Sequence, residues 1–281
     1  MNTAIIKGQE VLNLLVIKNG RVITDEGIVE GKNVVINGSK ILGIVDELPD
    51  TAEVIDAAGN FVSPGFIEIH IHGAAGRDTM DGTCDSINTI SKAIAKHGTT
   101  SFLPTTVAFD KDTTKNAVNT VRKSMAEGTD AAEVLGIHLE GPFLNPKKKG
   151  AHELRYLRNP DIGYFMEMVD NNLSGIKIMT MAPELDGAKD LIKFLVGHGV
   201  VVSAGHSDGT YDDIITGIGE GVSHSTHLYN AMRGFNHREP GVVGAIFDSR
   251  ITTEFIADGI HLHFAAIRTA LAVKGYQNCA L

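Results

Sequence analysis

Hydrophobic and polar positions along this chain follow two different rhythms. Up to about residue 62, β-branched residues cluster in short runs, LLVIKNGRVI, NVVINGSKILGIV and AEVIDAAGNFV, broken by Asn-Gly and Gly-Asn pairs. Runs of this kind, separated by residues that tolerate tight turns, predict short strands. From Pro64 onward apolar runs alternate with stretches of helical periodicity. Ile87, Ile90 and Ile94 mark one helix stripe; Leu191, Ile192, Leu195 and Val196 mark another. Gly98, Gly199, Gly221 and Gly275 stand where a left-handed residue would close a helix before the next apolar run.

Strands are predicted near 66–72, 100–106, 134–140, 177–182, 200–206, 222–228 and 252–257, with an eighth beginning around 278–281. Strands alternating with helices in one long run imply a parallel sheet with right-handed crossovers, open or closed. Eight such units make an α/β fold of the (β/α)₈ barrel type, whose chemistry sits at the carboxyl ends of the strands. The expected division is a β-rich part over 1–62 and the barrel over 63–281.

Composition narrows the function classes. A net charge of −9 argues against bulk electrostatic binding of nucleic acid, though a small anionic substrate needs only a few local cations. Cys84 and Cys279 are the only cysteines, too few for a disulfide framework, which points to a reducing, cytoplasmic setting. The segment MNTAIIKGQEVLNLLVIKNG lacks the marks of an export signal, and no apolar run reaches the roughly 18 residues that cross a bilayer. No membrane or nucleic-acid partner is expected.

Against that background four segments stand out: PGFIEIHIHG with His70 and His72, GIHLEGPF with Glu140, SAGHSD with His206, and SHSTHLYNAM with His227. Each falls at a predicted strand end. His70 and His72, two apart on a strand, share a face, and Gly73 then lets the backbone turn away. A lone His or Glu in such a place is more often a loop or satisfied core residue. Four imidazoles and a carboxylate together form a ligand set for one or two divalent ions holding a hydrolytic water. Nitrogen and oxygen donors without thiolates suit Zn, Fe, Mn or Co alike. His97 and His198, each one residue before a capping glycine, are structural on this reading. His138, two before Glu140, is a supporting residue behind it, and His224, three from His227, is expected to face the other way.

These motifs, with KKKGAHE, REPG and ADGIH, resemble the N-acetylglucosamine-6-phosphate deacetylases of the amidohydrolase superfamily in order and spacing over essentially the whole chain. HLEGPF together with THLYNAM carries most of the specificity. The resemblance implies a metal-bearing barrel with a small β-sandwich built from both chain ends, and deacetylation of N-acetylglucosamine 6-phosphate to glucosamine 6-phosphate and acetate. It implies Glu140, His206 and His227 as principal ligands, with His70 and His72 able to hold a second metal. Ala151 and His152 correspond to sugar-contacting positions, with His152 also a catalytic residue that positions the sugar or stabilises the developing oxyanion, and Asn230, Ala231, Arg238 and His261 correspond to substrate and phosphate contacts. A homodimer is expected on the same ground. Arg238 offers a planar charged fork for phosphate, or a surface ion pair with Glu239. Lys147, Lys148 and Lys149 are a solvated run or a weak attractor of the sugar phosphate.

The resemblance also marks a departure. The family's catalytic Asp would fall about two residues past Leu281, as would its eighth helix and the rest of the sandwich, leaving an open strand edge. Two alternatives follow: a chain that binds metal or ligand without turnover, or an amidohydrolase of another N-acyl or cyclic amide. Relatives of the latter kind often bridge two metals with a carboxylated Lys, where this chain has Glu140.

Overall fold

The structure, a computed structural model, describes residues 14–47, 49 and 52–281. The opening residues 1–13, on which part of the leader reading rests, lie outside that range. The chain divides into two compact units at Gly65.

In the first unit a four-stranded sheet runs in the order Lys40–Val45, Asn33–Asn37, Leu14–Lys18, Glu53–Asp56. A three-stranded sheet runs Gly27–Val29, Arg21–Thr24, Phe61–Val62. Alternation places Leu14, Val16 and Val35 in its small core. The short runs and Asn-Gly turns of the sequence are therefore strands and turns.

The second unit is a βα succession. Its parallel strands are β1 Phe66–Ile71, β2 Thr99–Thr106, β3 Ile137–Glu140, β4 Ile176–Met181, β5 Val201–Ala204, β6 Val222–Ser225, β7 Thr252–Glu254 and β8 Cys279–Ala280. They pair in chain order from β1 to β8. The intervening helices are α1 Cys84–Ala95, α2 Lys111–Glu127, α3 Ile162–Met168, α4 Ala188–Gly197, α5 Tyr211–Glu220, α6 Gly241–Phe247 and α7 Phe264–Lys274. Thr83, Asp110, Asp161 and Thr210 cap four of them by accepting a hydrogen bond from the first turn.

The helix stripes pack on the strands: Ile87, Ile90, Ile94, Leu191, Ile192 and Leu195 join Phe102, Ile137, Leu139, Met179 and Val202 in one core. Val196, expected in that stripe, is 42% exposed; it lies on the outer edge of α4, where the stripe narrows. A second cluster gathers Ile214, Val242, Val243, Ile246, Phe255, Ile267 and Ala270.

The sheet curls far enough for His70 on β1 to meet Glu254 on β7. It is an incomplete barrel: among the described residues no strand pairing joins β8 to β1. Phe66 and Ile67 at the start of β1 remain largely exposed. No helix among the described residues is long and apolar enough to cross a membrane.

Candidate metal centre and active site

One cavity of about 800 Å³ opens over the carboxyl ends of the strands, and its wall includes His70, His72, Glu140, His206 and His227. Glu140 is the last residue of β3 and 2% exposed. His70 sits within β1 and His72 just after it. Gly73 follows because the Arg77 carbonyl lies 2.1 Å from where a β-carbon would be. β5 stops at Ala204 and β6 at Ser225, so His206 and His227 stand beyond regular strand, with φ of 49° and 33°. A left-handed backbone at such residues costs about 1–3 kcal/mol and persists where the surroundings enforce it. Here the His206 carbonyl accepts from the Asn145 N–H (2.9 Å) and the His227 N–H donates to Glu254 Oε1 (3.2 Å).

The proton positions on these rings follow from their outer partners. His206 Nδ1 lies 2.8 Å from the Lys148 carbonyl, and His72 Nδ1 lies 3.2 Å from the Thr105 carbonyl. His70 Nδ1 faces the Glu254 carboxylate. Carbonyls and carboxylates only accept, so these Nδ1 atoms carry protons, and in its neutral form each ring turns an Nε2 lone pair inward. These Nε2 atoms converge on Glu140, and His227 Nε2 joins them. His206 and His227 Nε2 lie 3.1 and 3.0 Å from Oε1 and 3.0 Å from each other. His72 Nε2 is 3.2 Å from Oε2, and the Nε2 atoms of His70 and His72 are 3.3 Å apart.

Acceptors at these separations repel one another unless a cation lies among them. Four ligand atoms each about 2.0–2.1 Å from a tetrahedral Zn²⁺ lie roughly 3.4 Å apart, close to the spacing observed. The donor set therefore fits a divalent ion, with Glu140 positioned to serve both the His70–His72 side and the His206–His227 side.

His152 also approaches, its Nε2 3.3 Å from Glu140 Oε2. By distance alone Glu140, His152 and His206 form a possible ligand group. The partner of the other nitrogen argues otherwise: His152 Nδ1 accepts the Ala108 N–H (3.1 Å), which leaves the proton on Nε2. His152 therefore has the geometry of a hydrogen-bond donor aimed into the centre, which leaves His227 as the better candidate for a third ligand.

Electrostatics support the same picture. Burial opposes ionisation of Glu140, but the imidazoles of His152, His206, His227 and His70 hold its pKa well below the usual range. Burial pushes His70 down, yet contacts with Glu140 and Glu254 prevail and raise it to about 10, so a cation bound there would take the place of a proton on Nε2. Burial lowers His152 despite Glu140, so this ring is neutral near pH 7. The anionic pocket thus draws a cation to the His70 side while leaving His152 uncharged.

The rest of the expected substrate set is distributed unevenly. Ala151, His152, Asn230, Ala231 and His261 line the same cavity. Asn230 Nδ2 is buried without a partner, and His261 is held at the mouth by Asp258 (2.7 Å). Arg238 is exposed and outside the cavity lining. The ion pair with Glu239 is not formed: Glu239 accepts instead from the N–H groups of Tyr211 and Gly241. Lys147 and Lys148 point to Asp208.

His138 bonds Thr180 Oγ1 (2.7 Å) and the Ile69 carbonyl (2.9 Å), behind His70. His224 corrects an expectation. Alternation from His227 sends it outward only if β6 continues, but the strand ends at Ser225 and His224 points inward to Glu254 and Thr252. Glu254 itself escaped the sequence reading, although it closes β7 as Glu140 closes β3. Glu68 escaped too; its Oε1 accepts the His70 N–H (2.9 Å), and burial raises its pKa.

Gly150 packs against His206, where a β-carbon would approach Cε1 to 3.0 Å, and its φ is 56°. Gly150→Ala is expected to lower stability by about 1–2 kcal/mol and to displace His206. Thermal unfolding and metal affinity of the variant would both fall; wild-type values for both would refute this packing role.

Residues 61–281 match the Amidohydrolase family. The N-acetylglucosamine-6-phosphate deacetylase of Bacillus subtilis (strain 168) is 38% identical over 274 residues, covering 95% of this chain and 69% of that protein. The N-acetylgalactosamine-6-phosphate deacetylase of Escherichia coli O157:H7 is 33% identical over 253 residues, covering 90% and 66%. The solved structure of N-acetylglucosamine-6-phosphate deacetylase from Pasteurella multocida aligns with a TM-score of 0.89 at 33% identity, over 95% of this chain and 70% of that one. With likeness of this extent in both sequence and fold, the chain belongs to the amidohydrolase family, among its N-acetylglucosamine-6-phosphate deacetylases.

Proposed function

We propose that this protein removes the acetyl group from N-acetyl-D-glucosamine 6-phosphate in the cytoplasm, as a step of amino-sugar breakdown. The observation that carries the reading is the convergence of imidazole lone pairs on the ionised Glu140 carboxylate, with one neutral donor, His152, beside them. Glu140, His206 and His227 would hold a metal, and His70 and His72 a second one. When bound, the metal supplies Lewis-acid polarisation of the amide and a water acidic enough to attack near neutral pH.

The chain's own groups supply the rest. His152 Nε2–H would donate to the acetamide oxygen as negative charge develops there. Ile69, Val107 and Phe255 wall the cavity with apolar surface that suits the acetyl methyl. Asn230 Nδ2, lacking a partner, would donate to a sugar hydroxyl, where an unmade bond would otherwise cost about 1–3 kcal/mol. His261 at the mouth would meet the phosphate. Arg238, exposed and with no carboxylate partner among the described residues, would add a charge from outside the cavity. Proton transfer from water to the leaving amine needs a further carboxylate, expected about two residues past Leu281. Leu281 itself lines the cavity.

The test is acetate release from N-acetylglucosamine 6-phosphate by the metal-loaded protein, with and without continuation of the eighth strand through that Asp. The Asp is expected to raise turnover by about 10²–10⁴-fold. Turnover should also be faster with the phosphorylated sugar than with its unphosphorylated form. A metal-loaded, continued chain that releases no acetate would refute the proposal. The 4-epimer, named in one relative, is the informative competing substrate.

A further inference from the structure

We propose that Glu254 is a positioning residue that makes the His70–His72 side of the centre a metal position of its own. The inference rests on the metal-dependent reading above. Glu254 ends β7 and is 5% exposed. Its Oε1 accepts from His70 Nδ1–H and from the backbone N–H of His227, and its Oε2 lies 3.4 Å from His224 Nε2.

His224 is itself fixed, with Nδ1 2.7 Å from Thr252 Oγ1. The Glu254 carboxylate only accepts, which places the His224 proton on the Nε2 that faces it and leaves Nδ1 to accept from the Thr252 hydroxyl. Every group around the carboxylate is then a donor. The line Thr252–His224–Glu254–His70 locks the His70 ring and aims its Nε2 lone pair at His72 and Glu140.

A carboxylate behind a ligating imidazole fixes its tautomer and raises its basicity. The other ligands have no such partner. His206 Nδ1 donates to a neutral carbonyl, and His227 Nδ1 is buried without any partner. The two sides of Glu140 are therefore electronically unequal, and the extra negative charge belongs to the His70 side.

Metal-stripped protein titrated with Zn²⁺ alone tests this. Wild type is expected to bind two ions. Glu254→Gln keeps an acceptor of the same reach but removes the charge, and should weaken one of the two ions by about 10–100-fold while sparing the other. His70→Ala should leave a single ion whose affinity does not change when Glu254→Gln is added. A merely structural role would weaken that remaining ion as well.

One ion in wild type, equal weakening of both, or a further loss in the His70→Ala background would overturn the proposal. A wild type that binds no zinc would instead refute the metal reading itself. Should Glu254→Gln lose its thermal transition, His224→Gln replaces it: a smaller loss at the same ion is expected, and no loss overturns the proposal.

Discussion

Glu140→Gln is expected to strip metal from both sides of the centre and to lower acetate release by about 10³-fold, since metal polarisation supplies several kcal/mol of the rate. Among the described residues, the Glu140 carboxylate is the group that the inward Nε2 atoms of His70, His72, His206 and His227 all approach. Gln is nearly isosteric but neutral, and its amide would have to point an N–H group or a weaker acceptor at each side. The affinity loss should therefore exceed the roughly 10–100-fold typical of an outer-shell partner. Metal content after gel filtration, read alongside activity, checks this. Stoichiometric metal at wild-type affinity in Glu140→Gln would remove the central element of the site.

The second large effect separates chemistry from metal binding. His152→Asn retains an acceptor for the Ala108 N–H, because its Oδ1 sits near the position of Nδ1, but lacks the inward donor. Turnover should fall by about 10²–10³-fold, the typical cost of losing one oxyanion donor. Metal content should stay at the wild-type level. Loss of metal together with activity would mean that His152 is a ligand, and that the proton inferred on its Nε2 is misplaced.

Much of this was legible in the chain itself. The change of rhythm at Pro64, the helix stripes and the closing glycines announce a βα succession because strand and helix periods differ and cannot substitute for one another. The gathering of the candidate ligands at one cavity was legible too, since a charged or imidazole side chain closing an apolar run has few places to go but the barrel mouth. What misled was the assumption that strands continue. His224 looked outward only because alternation was carried three residues past the real end of β6. Glu254 drew no notice because the sequence predicts a strand continuing to residue 257, whereas β7 ends at Glu254.

The sequence alone determined the order of elements, the residue types offered to a metal and the left-handed breaks that punctuate the helices, all of which are local properties of short windows. Tertiary structure decided which imidazole nitrogen holds its proton, because that depends on carbonyls and carboxylates tens of residues away, such as Lys148 for His206 and Glu254 for His70. It also gave His152 the geometry of a donor, kept His227 as a candidate ligand, and left Arg238 outside the cavity. Those distinctions arise from which chain segments the curled sheet brings face to face, and no window of sequence contains them.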